Sequence, residues 1–222
     1  MKSEVNLIGV TKPNAMTGCR TPGDLVAYAA RVSNPGNQNN TQTAPKLIKY
    51  LIKEKHWSPF EMVHITMEIK TTRDIARQIL RHRSFAFQEF SQRYAVAENI
   101  GHDREARLQD NKNRQNSIKT EDRNLKESWN MQQAKVRNAA VDAYQWALKQ
   151  GIAKEQARAV LPEGLTESTL YMAGSLRSWI HYIDLRAANG TQKEHMIIAE
   201  QCKKIVLEHF PMLEEYWANS ED

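Results

Sequence analysis

Cysteine is scarce in this chain: Cys19 and Cys202 are the only two among 222 residues. Two thiols supply neither a disulfide framework nor a cysteine-ligated zinc site, and their rarity predicts a reducing, intracellular setting. Glycine patterning is equally spare. The nine glycines never fall as Gly-x-Gly, so the dinucleotide fingerprint is missing. Gly18 and Gly23 have P-loop spacing, but Asp24 and Leu25 stand where Lys and Ser/Thr are required, and an acid there would repel a triphosphate. The seven histidines form no His-x-x-x-His pair, and no metal is expected. No apolar run approaches the roughly 18 residues of a membrane span, and the first residues lack a signal-peptide core. The expectation is a cytoplasmic protein with no membrane partner.

What the chain has in excess is arginine, in one place. Residues 73–94 hold Arg73, Arg77, Arg81, Arg83 and Arg93, with His82 and no lysine. A solubilising surface would mix in lysine; a surface that grips forked anions uses the rigid guanidinium. The net charge of +5 suits an anionic ligand but is too small to define a nucleic-acid binder.

A hydrophobic content of 41% over this length supports one sizeable core, and no repeat or clean linker divides it, so residues 1–222 read as a single mixed domain. Residues 4–11 read as a strand. Residues 22–32 read as a helix with Leu25, Tyr28, Ala29 and Val32 on one face, and residues 43–54 as a second helix. The clearest strand carries Val63, Ile65, Met67 and Ile69 in alternation with His64, Thr66, Glu68 and Lys70. A helix opens near Thr72, with Arg73, Arg77 and Arg81 stepping at i, i+4 so that they aim at one target. Residues 101–120 are polar and read as an exposed loop. A long helix spans 122–150 with Leu125, Trp129, Val136, Ala140, Tyr144 and Leu148 toward the core. A short helix at 152–160, a strand at 165–173 and helices near 175–188 and 191–208 complete the chain.

The chemistry points back to the arginines. By itself an i, i+4 arginine stripe is a solvated helix face. Arg81-His82-Arg83 argues otherwise, because successive helical residues point about 100° apart and three adjacent cations cannot all face water on a packed helix. Arg177 and Arg186 lie nine residues apart, on opposite sides of one helix, while Arg177 and His181 share a face. Neither cysteine is near these groups: Cys202 reads as a core residue beside Ile198 and Ile205, and no usual base serves Ser91.

These residues fall into a recognisable order. Arg81-His82-Arg83-x7-Ser91-x-Arg93-Tyr94 resembles the signature of the flavin-dependent thymidylate synthases. Ala30-Arg31-Val32-Ser33, His56-x-Ser58-Pro59-Phe60-Glu61, Ala157-Arg158-x-x-Leu161-Pro162 and Leu176-Arg177-Ser178 to Leu185-Arg186 follow the family's order and approximate spacing. The resemblance implies an α+β fold, with helices packed around an antiparallel sheet and no Rossmann unit, assembled as a homotetramer with shared active sites. It implies that FAD contacts Ser33, His56, Ser58, Arg81, His82, Arg83, Glu89, Ser175, Arg177 and His181. Ser175 stands where many members have Asn. It implies that deoxyuridylate (dUMP) contacts Gln78, Arg81, Glu89, Ser91, Gln92, Arg93, Arg158 and Arg186, with Arg186 as the catalytic cation against the uracil. On this resemblance Arg73 is left as surface. The implied reaction converts dUMP to dTMP, with methylenetetrahydrofolate and NADPH as co-substrates and no nucleic-acid partner. A basic nucleotide- or RNA-binding domain that grips phosphate through residues 73–93 is the competing reading, and a family member that binds without turnover is another.

Overall fold

The computed structural model describes residues 3–101 and 103–218. Its centre is an antiparallel sheet of four strands, β1 (Glu4–Val10), β2 (His64–Thr72), β3 (Ala86–Glu89) and, after a separate hairpin of β4 (Arg107–Gln109) and β5 (Ser117–Lys119), β6 (Glu167–Ser175), in the order β1-β2-β6-β3. The alternation in β2 decides which face is dry. Ile65, Met67 and Ile69 lie opposite Gly174, Met172 and Leu170 of β6, and all three β2 side chains are buried. Each such side chain contributes about 1.5–3 kcal/mol on leaving water. The intervening pairs, Glu68 with Tyr171 and Lys70 with Thr169, form the wetter face.

The helices are α1 (Pro22–Ala30), α2 (Ala44–Lys53), α3 (Arg73–Ile79), α4 (Arg123–Lys149), the single turn α5 (Lys154–Ala157), α6 (Leu176–Arg186), α7 (Lys193–His209) and α8 (Glu214–Ala218). All but α4 and α5 contribute to the core on the dry face, and those two pack together in a second cluster around Tyr144, Ala147 and Ala157. Trp179 of α6 is fully buried, and its indole N–H donates to the Ile65 carbonyl at 3.1 Å, which seats α6 on the sheet. Asp24, misplaced for a P-loop, has another task. Its carboxylate accepts from the Thr21 N–H at 2.9 Å, while the Thr21 hydroxyl accepts from the Asp24 N–H at 3.1 Å, a capping box that starts α1. Arg31 is buried at the end of α1 and clips the following loop by donating to the Thr43 hydroxyl at 2.8 Å and to the Asn40 carbonyl.

Several local expectations change. The buried face of α1 is Val26 and Ala27, because the helix ends at Ala30 and leaves Val32 in solvent. α3 stops at Ile79, so Arg81 lies beyond it and the three-arginine stripe does not exist. Arg77 points to solvent and pairs with Glu163. Arg73 is not surface: its side chain is only 13% exposed and sits 3.6 Å from Glu89. Of the stretch 101–120, residues 103–120 are largely exposed but carry the β4–β5 hairpin. Its base is fixed to α4, where the Gln133 amide accepts from the Arg104 N–H at 2.7 Å and donates to the Arg104 carbonyl at 3.0 Å. Finally, α4 buries Ala140 and Tyr144, while Leu125, Trp129 and Val136 stay exposed.

Candidate active site

The signature loop is held by one ring. Phe85 packs edge-on against Trp179 and Tyr182 at 4.9 and 5.9 Å. It fits because residue 174 is glycine: a Cβ there would come 2.7 Å from Phe85 Cε1. The Ser178 hydroxyl adds a bond to the Ser84 carbonyl at 3.2 Å. Loop 81–85 is thereby anchored on α6, with Arg81 and Arg83 left exposed and His82 half-buried between them. Neither arginine has an ion-pair partner among the described residues, so both guanidiniums are available to a phosphate.

His82 meets Arg186. The Arg186 Nε–H donates to His82 Nε2 at 2.9 Å, so the ring is neutral and its proton is on Nδ1. Burial, reinforced by the Arg186 charge, pushes His82 down to about 4. Behind it the Tyr182 ring packs edge-on at 4.9 Å, and the Tyr182 hydroxyl bonds His195 Nε2 at 3.0 Å. His195 is wholly buried, and burial, then Arg186 and His82, push it down to about 3. No carboxylate among the described residues pairs with Arg186. Its full charge stays available to a ligand.

The other end of α6 is different. Arg177 donates to Glu61 at 2.9 Å, and His181, one turn on, meets Trp57 edge-on at 4.7 Å. Arg177 and Arg186 thus reach separate partners, as their opposite faces require. Burial works to raise Glu61, but bonds from Ser175 and Arg177 outweigh it and hold the carboxyl below its ordinary range. Burial, then Arg177, lowers His181. Ser175 is interior, capping α6 through the Ser178 N–H at 3.3 Å. His56 and Ser58 are exposed beside this end, whereas Ser33 lies on the α1–α2 surface in a shallow depression with Asn34, Asn37 and Lys46.

On the far side of the loop, the Ser168 hydroxyl donates to Glu89 at 2.6 Å, with Arg73 behind it. Gln92 is buried, and its amide nitrogen has no acceptor among the described residues. Ser91 accepts only a weak bond from the Arg93 N–H at 3.4 Å, and no histidine or carboxylate among the described residues reaches its hydroxyl to activate it as a nucleophile. Arg93 and Arg158 border α5, at 3.5 Å from Glu155 and 3.3 Å from its carbonyl. Gln78 faces inward, bonding Gln192 at 2.7 Å and His195 at 3.3 Å. A groove of about 770 Å³ between the hairpin and α4 is lined by none of the predicted site residues. Tyr182, Gln192 and Glu194 were missed by sequence reasoning. His195 has no metal-ligand spacing to single it out, and it falls on the buried stripe of α7 with Ile198, Ala199, Cys202 and Val206.

Thiol chemistry has no place here. Cys202 is fully buried and its thiol is pushed well above the ordinary range by burial, while Cys19 lies before α1 with its thiol donating to the Thr17 carbonyl. Fold and site therefore define a mixed α/β protein that presents unpaired arginines around one guanidinium set among neutral groups. The family model described as "Thymidylate synthase complementing protein" matches residues 16–212. The chain is 52% identical over 207 residues to the probable flavin-dependent thymidylate synthase of Paramecium bursaria Chlorella virus 1, covering 93% of this chain and 95% of that protein. It is 50% identical over 210 residues to the flavin-dependent thymidylate synthase of Synechocystis, covering 94% and 96%. Among solved structures, the UMP/dUMP methylase PolB of Streptomyces cacaoi with bound 5-Br dUMP superimposes with a TM-score of 0.82 at 26% identity, covering 98% of this chain and 95% of that one. The chain belongs to the flavin-dependent thymidylate synthases.

Proposed function

We propose that this protein methylates dUMP to dTMP, taking the carbon from methylenetetrahydrofolate and reducing equivalents from NADPH. Bound FAD would relay the hydride and assist the carbon transfer. The residues present fit that group: Arg81 and Arg83 have no ionic partners among the described residues and suit its diphosphate, and the Trp57–His181 pair offers ring surface. The nucleotide and cofactor contacts follow the assignments implied by the family resemblance.

One observation carries this reading, the Arg186 guanidinium bonded through Nε to a neutral His82. A cation undiluted by carboxylate favours loss of the uracil N3 proton, which raises electron density at C5 without a protein thiolate. Ser91 binds and does not attack. The assembly is a homotetramer with sites shared between subunits. The exposed Leu125, Trp129 and Val136 of α4 support it, since a monomer would leave that apolar face in water.

Purified protein is tested for flavin absorbance, then for release of tritium from 5-tritiated dUMP with methylenetetrahydrofolate and NADPH, with UMP run in parallel. Release from dUMP is expected. Flavin-loaded protein that releases none contradicts the reaction, and salt-sensitive RNA binding without flavin overturns the reading altogether.

A further inference from the structure

We propose that His195 is a positioning residue for the nucleotide site, holding the Gln78 side-chain amide in one orientation through a relay that begins at Glu194. The proposal rests on Gln78 facing dUMP, as the function above requires.

The relay has one direction because its first member can only accept. Glu194 receives Arg107 Nη2 on both oxygens, at 2.6 and 2.8 Å, and Arg104 stands 3.2 Å away. Burial works to raise its carboxyl, but these two arginines outweigh burial and keep it ionised. Gln192 Nε2 must therefore donate to Glu194, which it does at 3.1 Å. That turns the Gln192 carbonyl oxygen toward Gln78 Nε2 at 2.7 Å, and the Gln78 carbonyl oxygen toward His195 Nδ1 at 3.3 Å. A carbonyl carries no proton, so Nδ1 supplies it, and Nε2 is left to accept the Tyr182 hydroxyl at 3.0 Å. Flipping either amide would set donor against donor and acceptor against acceptor in a partly buried place, where each unsatisfied group costs up to about 1–3 kcal/mol.

Gln78 is thus left with one N–H and one carbonyl lone pair for a ligand, three residues before Arg81. Remove the His195 donor and nothing on that side distinguishes the two ends of the amide. The excursion 101–120, which supplies Arg104 and Arg107, then bears on the nucleotide site without touching it.

Three substitutions separate positioning from packing. An Asn amide nitrogen overlies imidazole Nδ1, a Gln amide nitrogen overlies Nε2, and Leu supplies neither. In dUMP titrations of flavin-loaded protein, His195→Leu and His195→Gln are expected to weaken dUMP binding about tenfold, with His195→Asn recovering most of the loss. Flavin content stays level. In a Gln78→Ala background, His195→Leu adds no further loss. Equal affinity across the three variants, or full additivity with Gln78→Ala, overturns the proposal. Nitrogen-15 spectra of the ligand-free wild type give a readout independent of folding defects and of dUMP: a neutral His195 protonated on Nδ1 is expected, and protonation on Nε2 contradicts the relay. Failure of the enzymatic reading itself would appear separately, as wild-type protein that binds neither flavin nor dUMP.

Discussion

Helix α6 carries two arginines in two electrostatic settings. At its start, Arg177 is exposed and meets the Glu61 carboxylate. At its end, Arg186 is half-buried and meets the neutral His82, with neutral His195 and Tyr182 behind. A charge neutralised by a carboxylate in water holds a ligand modestly; one surrounded by neutral groups acts on whatever ionises beside it. On the proposed function, position on the helix, more than residue type, would separate holding from activating.

The largest test of this contrast is Arg186→Ala, expected to lower kcat about 100-fold or more while flavin content changes little. Absorbance at equal protein concentration, paired with turnover, checks it; parallel loss of both would erase the distinction. Next in size is Gly174→Ala. The new methyl would displace Phe85 from its seat on α6, at a cost of roughly 1–3 kcal/mol read as a lower denaturant midpoint, with the loop carrying Arg81 and His82 losing its anchor.

A smaller, graded effect is expected from pH. His82 and His195 are held down at about 4 and about 3 in the fold, against an ordinary value near 6.5. Below pH 6.5 the unfolded chain takes up protons that the folded chain refuses. Stability is full above 6.5 and is lost as pH falls toward those folded values. Thermal melts between pH 7.5 and 4.5 should show that decline, and His195→Asn should flatten it. Smallest is Arg177→Ala, an exposed ion pair whose loss should change stability by no more than about 0.5 kcal/mol while weakening flavin retention.

Much of this was legible before the structure. The alternation of Val63 to Ile69 is a local pattern, and the register of β2 follows it. The opposite facing of Arg177 and Arg186 is helical geometry. Long-range partners were not legible. Arg73 reads as surface because the resemblance gives it no ligand, whereas the group that draws it inward, Glu89, arrives on β3. Asp74 is itself engaged by Arg104 at 2.7 Å. No glycine or proline marks the end of α3, so the i, i+4 spacing of its arginines overstated its length by carrying it to Arg81. The turn of the β4–β5 hairpin did carry a local signal, since the Asp110 carboxylate accepts from the N–H groups of Lys112 and Asn113. Leu125, Trp129 and Val136 form an apolar stripe whose pattern says that something covers it, not that the cover belongs to the same chain.

The most direct test compares tritium release from 5-tritiated dUMP by flavin-loaded wild type and Arg186→Ala at matched flavin content, with NADPH and methylenetetrahydrofolate present. The account predicts release from the wild type and a rate about 100-fold lower from the variant. No release from the wild type, or equal release from both, would contradict it.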